Sequence, residues 1–178
     1  MKTINVSILI VVTGLVSLAT IDFSNTAFAG TQIYSAQLSG DQEVPPVQTT
    51  NASGTADFRI LLSAISTPQA AIDYTVNGTG LENVVTAAHI HMGKMGENGD
   101  IVVTLCKAET CSAGGGGSGG GNLSLTGTFN ATNLEGPMAG KQIEDLANEM
   151  TNGGTYVNVH TEQNPNGEIR GQITGGTQ

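Results

Sequence analysis

Apolar and polar residues alternate in short runs along most of the chain, a period-two pattern that is typical of β-strands. Gly, Asn and Pro separate the runs, as expected for turns between strands. The alternation is clearest at Ala56, Phe58 and Ile60, which share one face of their run. The predicted strands are residues 33–38, 54–62, 70–76, 84–92, 101–105, 123–129, 155–161 and 168–173. This organisation predicts an all-β domain, either an antiparallel sandwich or a barrel-like sheet.

Two segments depart from the strand pattern. Within residues 140–152, apolar residues recur at helical spacing: Ile143, Leu146, Ala147 and Met150. They predict one short amphipathic helix in the C-terminal third, whose apolar side covers an open end of the β core; a helix that binds a partner is the alternative. Residues 113–121 are nearly all glycine. They predict a flexible loop, because glycine loses the most backbone entropy on ordering.

The first 29 residues have the organisation of a secretory signal peptide. Met1-Lys2 gives a short positive start, residues 4–21 are nearly all apolar, and Ala27-Phe28-Ala29 has the small-x-small pattern of a cleavage site. The apolar stretch is shorter than the ~20 residues of a membrane-spanning helix, so a retained membrane anchor is the less favoured alternative. We expect cleavage after Ala29, a mature domain of residues 30–178 with no membrane span, and a secreted or cell-envelope location.

The chain is acidic, with a net charge of −9 at pH 7. Nucleic-acid binding needs lysine and arginine to neutralise phosphates, so this charge argues against a nucleic-acid partner. It also gives no attraction to anionic lipid surfaces. Solubility is its simplest consequence, and cations, including metal ions, are not repelled.

Cys106 and Cys111 are the only cysteines in the sequence. In an exported chain, two cysteines this close favour a local disulfide that closes a small loop. A metal site that uses both thiolates is the alternative, which is weakened because no histidine lies near them in the sequence.

The sequence contains only three histidines, His89, His91 and His160. His89 and His91 form a His-x-His motif in a predicted strand, so their side chains share one face, about 7 Å apart along the strand. The same alternation in residues 155–161 places the side chain of His160 on the other face of its strand from Val157 and Val159. All three histidines therefore lie on faces away from the apolar residues, which argues against hydrogen-bonded core histidines.

The last two predicted strands form a hairpin, because residues 164–167 (Asn-Pro-Asn-Gly) are a strong turn sequence. Matching their apolar faces gives these cross-strand pairs: Val159 with Ile169, Val157 with Gly171, His160 with Glu168 and Asn158 with Arg170. Glu168 is then a candidate fourth metal ligand, or a group that orients a histidine ring. A plain surface carboxylate, or an ion pair with Arg170, is the alternative.

Three histidines on rigid strands predict a single metal site, because imidazole is the commonest metal ligand and suits Cu(II) or Zn(II). Three unconnected surface histidines are the alternative. The general affinity order favours copper over zinc. Since no free cysteine is expected, a blue-copper site is disfavoured, and a colourless or weakly coloured copper site fits better.

Three segments resemble the signatures of the CHRD (chordin-domain) family: residues 38–46 (LSGDQEVPP), residues 87–93 (AAHIHMG) with Asn98-Gly99, and residues 154–161 with 164–173. They span the mature chain in the order of the family, whereas residues 106–121 fall outside the shared pattern. The resemblance implies an extracellular β fold. It does not imply growth-factor binding, because the cysteine-rich modules of chordin are lacking.

The leading hypothesis is a secreted CHRD-domain protein that binds one copper ion, with zinc as the alternative, for metal handling or simple redox chemistry. The ligands are His89, His91 and His160. A metal-free extracellular interaction or matrix module, with an unidentified protein partner, is one alternative. A copper oxidoreductase or a three-histidine zinc hydrolase is the other, and is less favoured than a metal-binding protein. The His-x-His motif is similar to that of copper-zinc superoxide dismutase, but only this local pattern matches.

Overall fold

The computed structural model describes residues 30–61, 65–111 and 121–176. In these residues, nine antiparallel strands form one sheet that is nearly closed into a barrel. The strands are β1 (Thr31–Ser39), β2 (Ser53–Leu61), β3 (Ala71–Leu81), β4 (Val85–Met92), β5 (Ile101–Lys107), β6 (Gly121–Asn130), β7 (Thr155–Thr161), β8 (Ile169–Gln172) and β9 (Thr174–Gly175). The helices are α1 (Ala108–Cys111) and α2 (Ile143–Thr151), with short 3-10 turns at Gly40–Gln42, Ala131–Asn133 and Gly136–Met138. The predicted all-β class is confirmed.

The order of the strands in the sheet is β5-β4-β7-β8-β1-β2-β3-β6, and β9 pairs with β1. Strands from distant parts of the sequence are therefore neighbours, and β7 lies between β4 and β8. The predicted register of the last hairpin is confirmed for three pairs, Val159 with Ile169, Asn158 with Arg170 and Val157 with Gly171, but the predicted pair of His160 with Glu168 is absent. This order places the His-x-His strand directly beside the strand that carries His160.

The core is built from alternate residues of the strands, as the sequence pattern predicts. Phe58 and Ile60 of β2 and Ile72 of β3 are fully or almost fully buried. Gly127 on β6 leaves room for the Tyr74 ring, since a Cβ there would come within 2.6 Å of the Tyr74 hydroxyl oxygen. That hydroxyl donates to the carbonyl of Leu105 at 2.9 Å and so links β3 to β5, which lies at the other end of the strand order.

Strand β3 extends five residues further than the sequence pattern predicts. The predicted strand ended at residue 76, before Asn77-Gly78, yet β3 continues to Leu81. In the structure Asn77 pairs with Ser124 and Gly78 with Leu123 of β6. Pairing along both edges of β3 outweighs the weak strand propensity of these residues, because that propensity depends strongly on context.

Helix α2 confirms the predicted amphipathic helix. Its apolar stripe is buried in the same core as the strands: Ile143, Leu146, Ala147 and Met150. The hydroxyl of Tyr34 on β1 donates to the carbonyl of Ala147 at 3.0 Å, which fixes the helix against the sheet. The stripe therefore covers β-sheet residues of this chain, as the preferred interpretation requires.

The predicted disulfide between Cys106 and Cys111 is present, and the short helix α1 lies inside its loop. Two other sequence predictions concern residues that the structure does not describe. The predicted signal peptide, residues 1–29, is one of them. The glycine-rich loop is the other, except that Gly121 is the first residue of β6. No helix in the described part of the chain is long and apolar enough to span a membrane.

Candidate metal centre

The structure brings the three predicted histidines together on one face of the sheet. His89 and His91 lie on β4, and His160 lies opposite Ala87 on the neighbouring strand β7. The ring centroids are 5.0 Å apart for His89 and His160, 5.6 Å for His89 and His91, and 6.2 Å for His91 and His160. One nitrogen from each ring belongs to a set whose members all lie within 4.8 Å of one another. The spacing of the three rings therefore suits a shared metal ion.

Backbone carbonyls fix the tautomers of two of these rings. Nδ1 of His91 lies 2.9 Å from the carbonyl oxygen of Gly99, and Nδ1 of His160 lies 3.1 Å from that of Pro165. A carbonyl oxygen only accepts hydrogen bonds, so both Nδ1 atoms carry the proton and both Nε2 atoms carry a lone pair. Nε2 of His91 is buried and has no hydrogen-bond partner. Carbonyl hydrogen bonds of this kind also orient metal-bound histidines in known sites.

The third ring completes the set through a contact between histidines. Nδ1 of His89 lies 3.2 Å from Nε2 of His160. Since His160 offers a lone pair there, the shared proton belongs to His89. Two nitrogens bound to one tetrahedral ion at 2.0–2.1 Å are ~3.3 Å apart, so an ion would fit between these two atoms with little movement of the rings once the His89 proton has moved from Nδ1 to Nε2.

The surroundings keep all three imidazoles neutral, which is the form that binds metals. Burial, followed by the proximity of His160 and His91, lowers the pKa of His89 to about 4. Burial also lowers the pKa values of His91 and His160, although the hydrogen bonds to Gly99 and Pro165 partly oppose this effect. No charge has to be removed from the rings before they bind an ion near neutral pH.

The face that carries the histidines is more covered than its polar sequence indicates. Tyr156, Asn158 and Arg170 on this face are almost fully buried, and His91 is only 9 % exposed. Residues 93–100 lie over the histidine face of β4, β7 and β8, because Gly99 hydrogen-bonds to His91 and Tyr156 and Asn98 accepts from Arg170. The parity prediction is thus correct, but the loops that bury this face do not follow from strand periodicity.

Gly99 is the residue of this loop that contacts His91. Its carbonyl accepts from the ring, and its amide donates to the hydroxyl of Tyr156 at 3.2 Å. The ring of Tyr156 in turn stacks on His91, with centroids 4.9 Å apart and planes 7° from parallel. A Cβ at position 99 would overlap the carbonyl oxygen of Met92, so only glycine allows the loop to approach β4 this closely.

Arg170 holds the other part of this loop in place. Its guanidinium is 1 % exposed and lies 3.4 Å from the centroid of the Tyr156 ring. It donates to the carbonyls of Lys94 and Glu97 and to the side-chain oxygen of Asn98, at 2.7–3.2 Å. Arg170 therefore connects β8, through the loop and Tyr156, to the ring of His91.

Glu43 is a second charged residue buried under this face. It is 5 % exposed, and its Oε2 accepts from the side-chain amide of Asn158 at 3.3 Å. Burial raises the pKa of Glu43 to about 7, although Arg170 and Asn158 partly oppose that shift. Oε1 of Glu43 and Oδ1 of Asn158 have no partner. Both atoms lie close to Gly167, where a Cβ would come within 2.7 Å of Glu43 Oε1.

Glu168 does not lie where the sequence analysis placed it. Its carboxylate accepts from the hydroxyls of Thr50 and Thr161, both at 2.7 Å, and from the amide of Glu82. Thr161 is on the opposite face of β7 from His160, because neighbouring strand residues alternate. The described pairing of β7 with β8 ends at Val159 and Ile169, so Glu168 turns toward Thr161 and is not part of the histidine group.

Several residues that shape this centre could not be assigned a role from the sequence. Gly99, Tyr156 and Arg170 lie within segments that resemble the CHRD signatures, but strand parity alone says nothing about the loop that joins them. The close packing of Gly99 and the burial of Arg170 depend on contacts across more than 50 residues. The histidines, in contrast, could be identified from their number and parity.

Comparison with protein families gives one match. The model of the CHRD domain matches residues 34–173, which is most of the chain and includes the histidines and the loop that contacts them. Neither the curated proteins nor the solved structures gave a match. The chain therefore belongs to the CHRD domain family.

Proposed function

We propose that this CHRD-domain protein binds a single metal ion through His89, His91 and His160, and that it serves in metal handling or in simple redox chemistry. The observation that carries the proposal is Nε2 of His91, a buried lone pair without a partner beside two other neutral imidazoles. Buried polar atoms are rarely left unpaired in folded proteins. A metal ion at this position satisfies the lone pair of His91 and uses the tautomer that Gly99 selects.

Copper is the ion that this donor set favours. Three neutral nitrogens suit both copper and zinc, and divalent copper binds such a set more tightly by the general affinity order. Both cysteines are in the disulfide, so no thiolate is offered by them. A copper ion here therefore has the nitrogen-rich environment of a weakly coloured site, with zinc as the alternative.

We place the protein outside the cytoplasm. Residues 1–29 have the sequence features of a signal peptide, and the disulfide requires an oxidising compartment to persist. A secreted protein with one histidine-bound ion fits the storage, delivery or scavenging of metal. Oxidoreductase or hydrolase activity requires, in addition, a substrate that reaches the ion.

Calorimetric titration of the metal-free mature protein with Cu(II) and with Zn(II) tests the proposal. We expect one site per chain, with copper bound more tightly than zinc. His91→Ala removes one of three ligands and should weaken copper binding by at least a hundredfold, whereas Thr126→Ala, an exposed position on β6, should leave it unchanged. Wild-type affinity in His91→Ala would contradict the proposed ligand set and favour a metal-free interaction module.

A further inference from the structure

Three histidines leave part of the coordination shell of a copper or zinc ion open to another ligand. His89 and His160 are partly exposed, whereas His91 is almost buried, so the open side faces solvent near His89 and His160. The residues around this rim determine which molecules can enter. Glu135 acts on His89 more strongly than Lys107 does, and its side chain is hydrogen-bonded to Thr104, the cross-strand partner of His89.

The backbone holds Glu135 beside strand β5. Leu134 forms an antiparallel bridge with Val103, and the amide of Glu135 donates to the carbonyl of Val102 at 2.9 Å. This segment thereby continues the sheet beyond β5. The exposed side chain of Glu135 starts from a fixed position, although it comes from a short connection between 3-10 turns.

A threonine then directs the Glu135 side chain toward the histidines. The hydroxyl of Thr104 donates to Oε1 of Glu135 at 2.6 Å. Thr104 is the cross-strand partner of His89, and directly opposed residues of an antiparallel pair project from the same face. Oε2 of Glu135 has no described hydrogen bond to a side chain. Glu135 is not part of the histidine group itself, so it acts from outside the ligand set.

We propose that Glu135 selects the exogenous ligand of the metal centre: it repels anions and favours neutral ligands that donate a hydrogen bond, such as water or an alcohol hydroxyl. This inference rests on the proposed metal site. The free carboxylate oxygen can accept the hydrogen bond of such a neutral ligand, whereas an anion in the same position meets a like charge.

Other charges surround the histidines, and their effects are smaller or more distant. Lys107 on β5 is exposed, and its effect on His89 is opposite to that of Glu135 and weaker. Asp100 adds a second negative charge near His91. The cation of Arg170 also acts on His91, but it is buried against Tyr156 and its hydrogen bonds are to neutral oxygens of the loop. Of the carboxylate and lysine groups that act on His89, Glu135 therefore has the larger effect.

Azide binding to the copper-loaded protein tests this inference, because azide is a small anion whose binding to Cu(II) gives a visible absorption band. Glu135→Gln keeps the shape of the side chain and removes its charge. We expect the azide dissociation constant to fall by about threefold to tenfold, the range for loss of one nearby like charge at a protein surface. Copper should still bind at one ion per chain, since Glu135 is not a ligand.

Asp73→Asn is the matched control for this change. Asp73 on β3 accepts a hydrogen bond from the hydroxyl of Thr128 at 2.6 Å, the same arrangement as Glu135 with Thr104, but β3 pairs with neither histidine strand. Both variants raise the net charge by one, so only Glu135→Gln should tighten azide binding. Thr104→Val, which releases the Glu135 side chain, should have an intermediate effect.

The outcomes separate the two proposals. Equal azide affinities in copper-loaded Glu135→Gln, Asp73→Asn and wild-type protein would overturn the role of Glu135 and leave the metal site intact. Failure of the wild-type protein to bind copper would overturn both the metal site and the inference built on it. Loss of copper from Glu135→Gln would make Glu135 a direct ligand, which also contradicts its role outside the ligand set.

Discussion

At the residue scale, the protonation of the three histidines controls how the metal-free centre behaves in acid. Burial lowers their pKa values, and that of His89 reaches about 4. Above pH 6.5 the rings are neutral in both the folded and the unfolded chain. As the pH falls, the unfolded chain gains protons first. The stability that the folded protein has with neutral histidines is therefore fully present above pH 6.5 and is lost as the pH falls toward 4.

We therefore predict that all three imidazoles of the metal-free protein titrate below the ordinary value of 6.5. The pKa of His89 should lie near 4, because burial and the proximity of both other rings lower it. The NMR chemical shifts of the carbon-bound imidazole protons, measured across pH 3–8, give the three pKa values directly. Three ordinary values near 6.5 would show that the rings are solvated and separate.

Glu43 has the opposite dependence on pH. Its folded pKa is raised from 4.5 to about 7, so the neutral carboxyl is favoured in the folded chain. The corresponding stability is fully present below pH 4.5 and is lost as the pH rises through 7. Gln in Glu43→Gln resembles the neutral carboxyl at every pH, so this variant should not lose stability at residue 43 as the pH rises.

The measurement is the free energy of unfolding of Glu43→Gln minus that of the wild type, as a function of pH. We expect this difference to rise by about 2–3 kcal/mol between pH 4.5 and pH 8, since each unit of pKa shift corresponds to about 1.4 kcal/mol. The histidine contributions cancel in the difference, because both proteins contain them. A difference that stays constant with pH would mean that Glu43 is solvated in the folded protein.

Residue-level features of the site could be predicted from the sequence only in part. The number and parity of His89, His91 and His160 were enough to place them on one face. Which ring nitrogen carries the proton depends on the carbonyls of Gly99 and Pro165, and their positions are set by loops. Glu168 was assigned to the histidine face because pairing was extended one residue too far along the hairpin.

At the scale of elements, residues 93–100 and strand β8 act together to orient His91. Arg170 on β8 fixes the loop through Lys94, Glu97 and Asn98, and the loop presents the carbonyl of Gly99 to the ring. A guanidinium is suited to this task, because its planar fork can serve several acceptors while it stacks on Tyr156. Lysine retains the charge but not that geometry.

We predict that Arg170→Lys lowers the free energy of unfolding by about 2–3 kcal/mol, because buried acceptors lose hydrogen bonds to a charged donor. It should also weaken copper binding about tenfold, as changes to groups that orient metal ligands do. Arg59→Lys is the control, since Arg59 is exposed on β2. Chemical denaturation and copper titration of both variants check this prediction. Equal free energies of unfolding and equal copper affinities for the two variants would show that Arg170 does not orient His91.

The strands could be predicted from the sequence better than the loop of residues 93–100 that covers β7 and β8. Most strands lie within one or two residues of their predicted bounds, because apolar and polar residues alternate along most of them. The exception, β3, continues through a turn-like Asn77-Gly78 because β6 pairs with it. The cover over β7 and β8 comes from residues with no periodic pattern, so burial of Tyr156 and Arg170 could not be anticipated.

At the scale of the whole molecule, the disulfide is consistent with an exported domain, and export itself has a direct test. The full chain, expressed with its first 29 residues in a secreting host, should appear outside the cytoplasm with Gly30 as its first residue. Cleavage is expected there because Ala27-Phe28-Ala29 has the small residues that signal peptidases require. Intact mass and N-terminal sequencing distinguish this product from an uncleaved, membrane-retained chain.

The central claim is that three histidines on two neighbouring strands form one metal site, and the metal content of the protein tests it most directly. The mature protein should be purified without a histidine tag, then analysed by mass spectrometry for metals and by electron paramagnetic resonance. We predict one copper per chain and a spectrum with hyperfine coupling to nitrogen. Absence of metal, with none taken up from a slight excess of Cu(II) or Zn(II), would contradict the account.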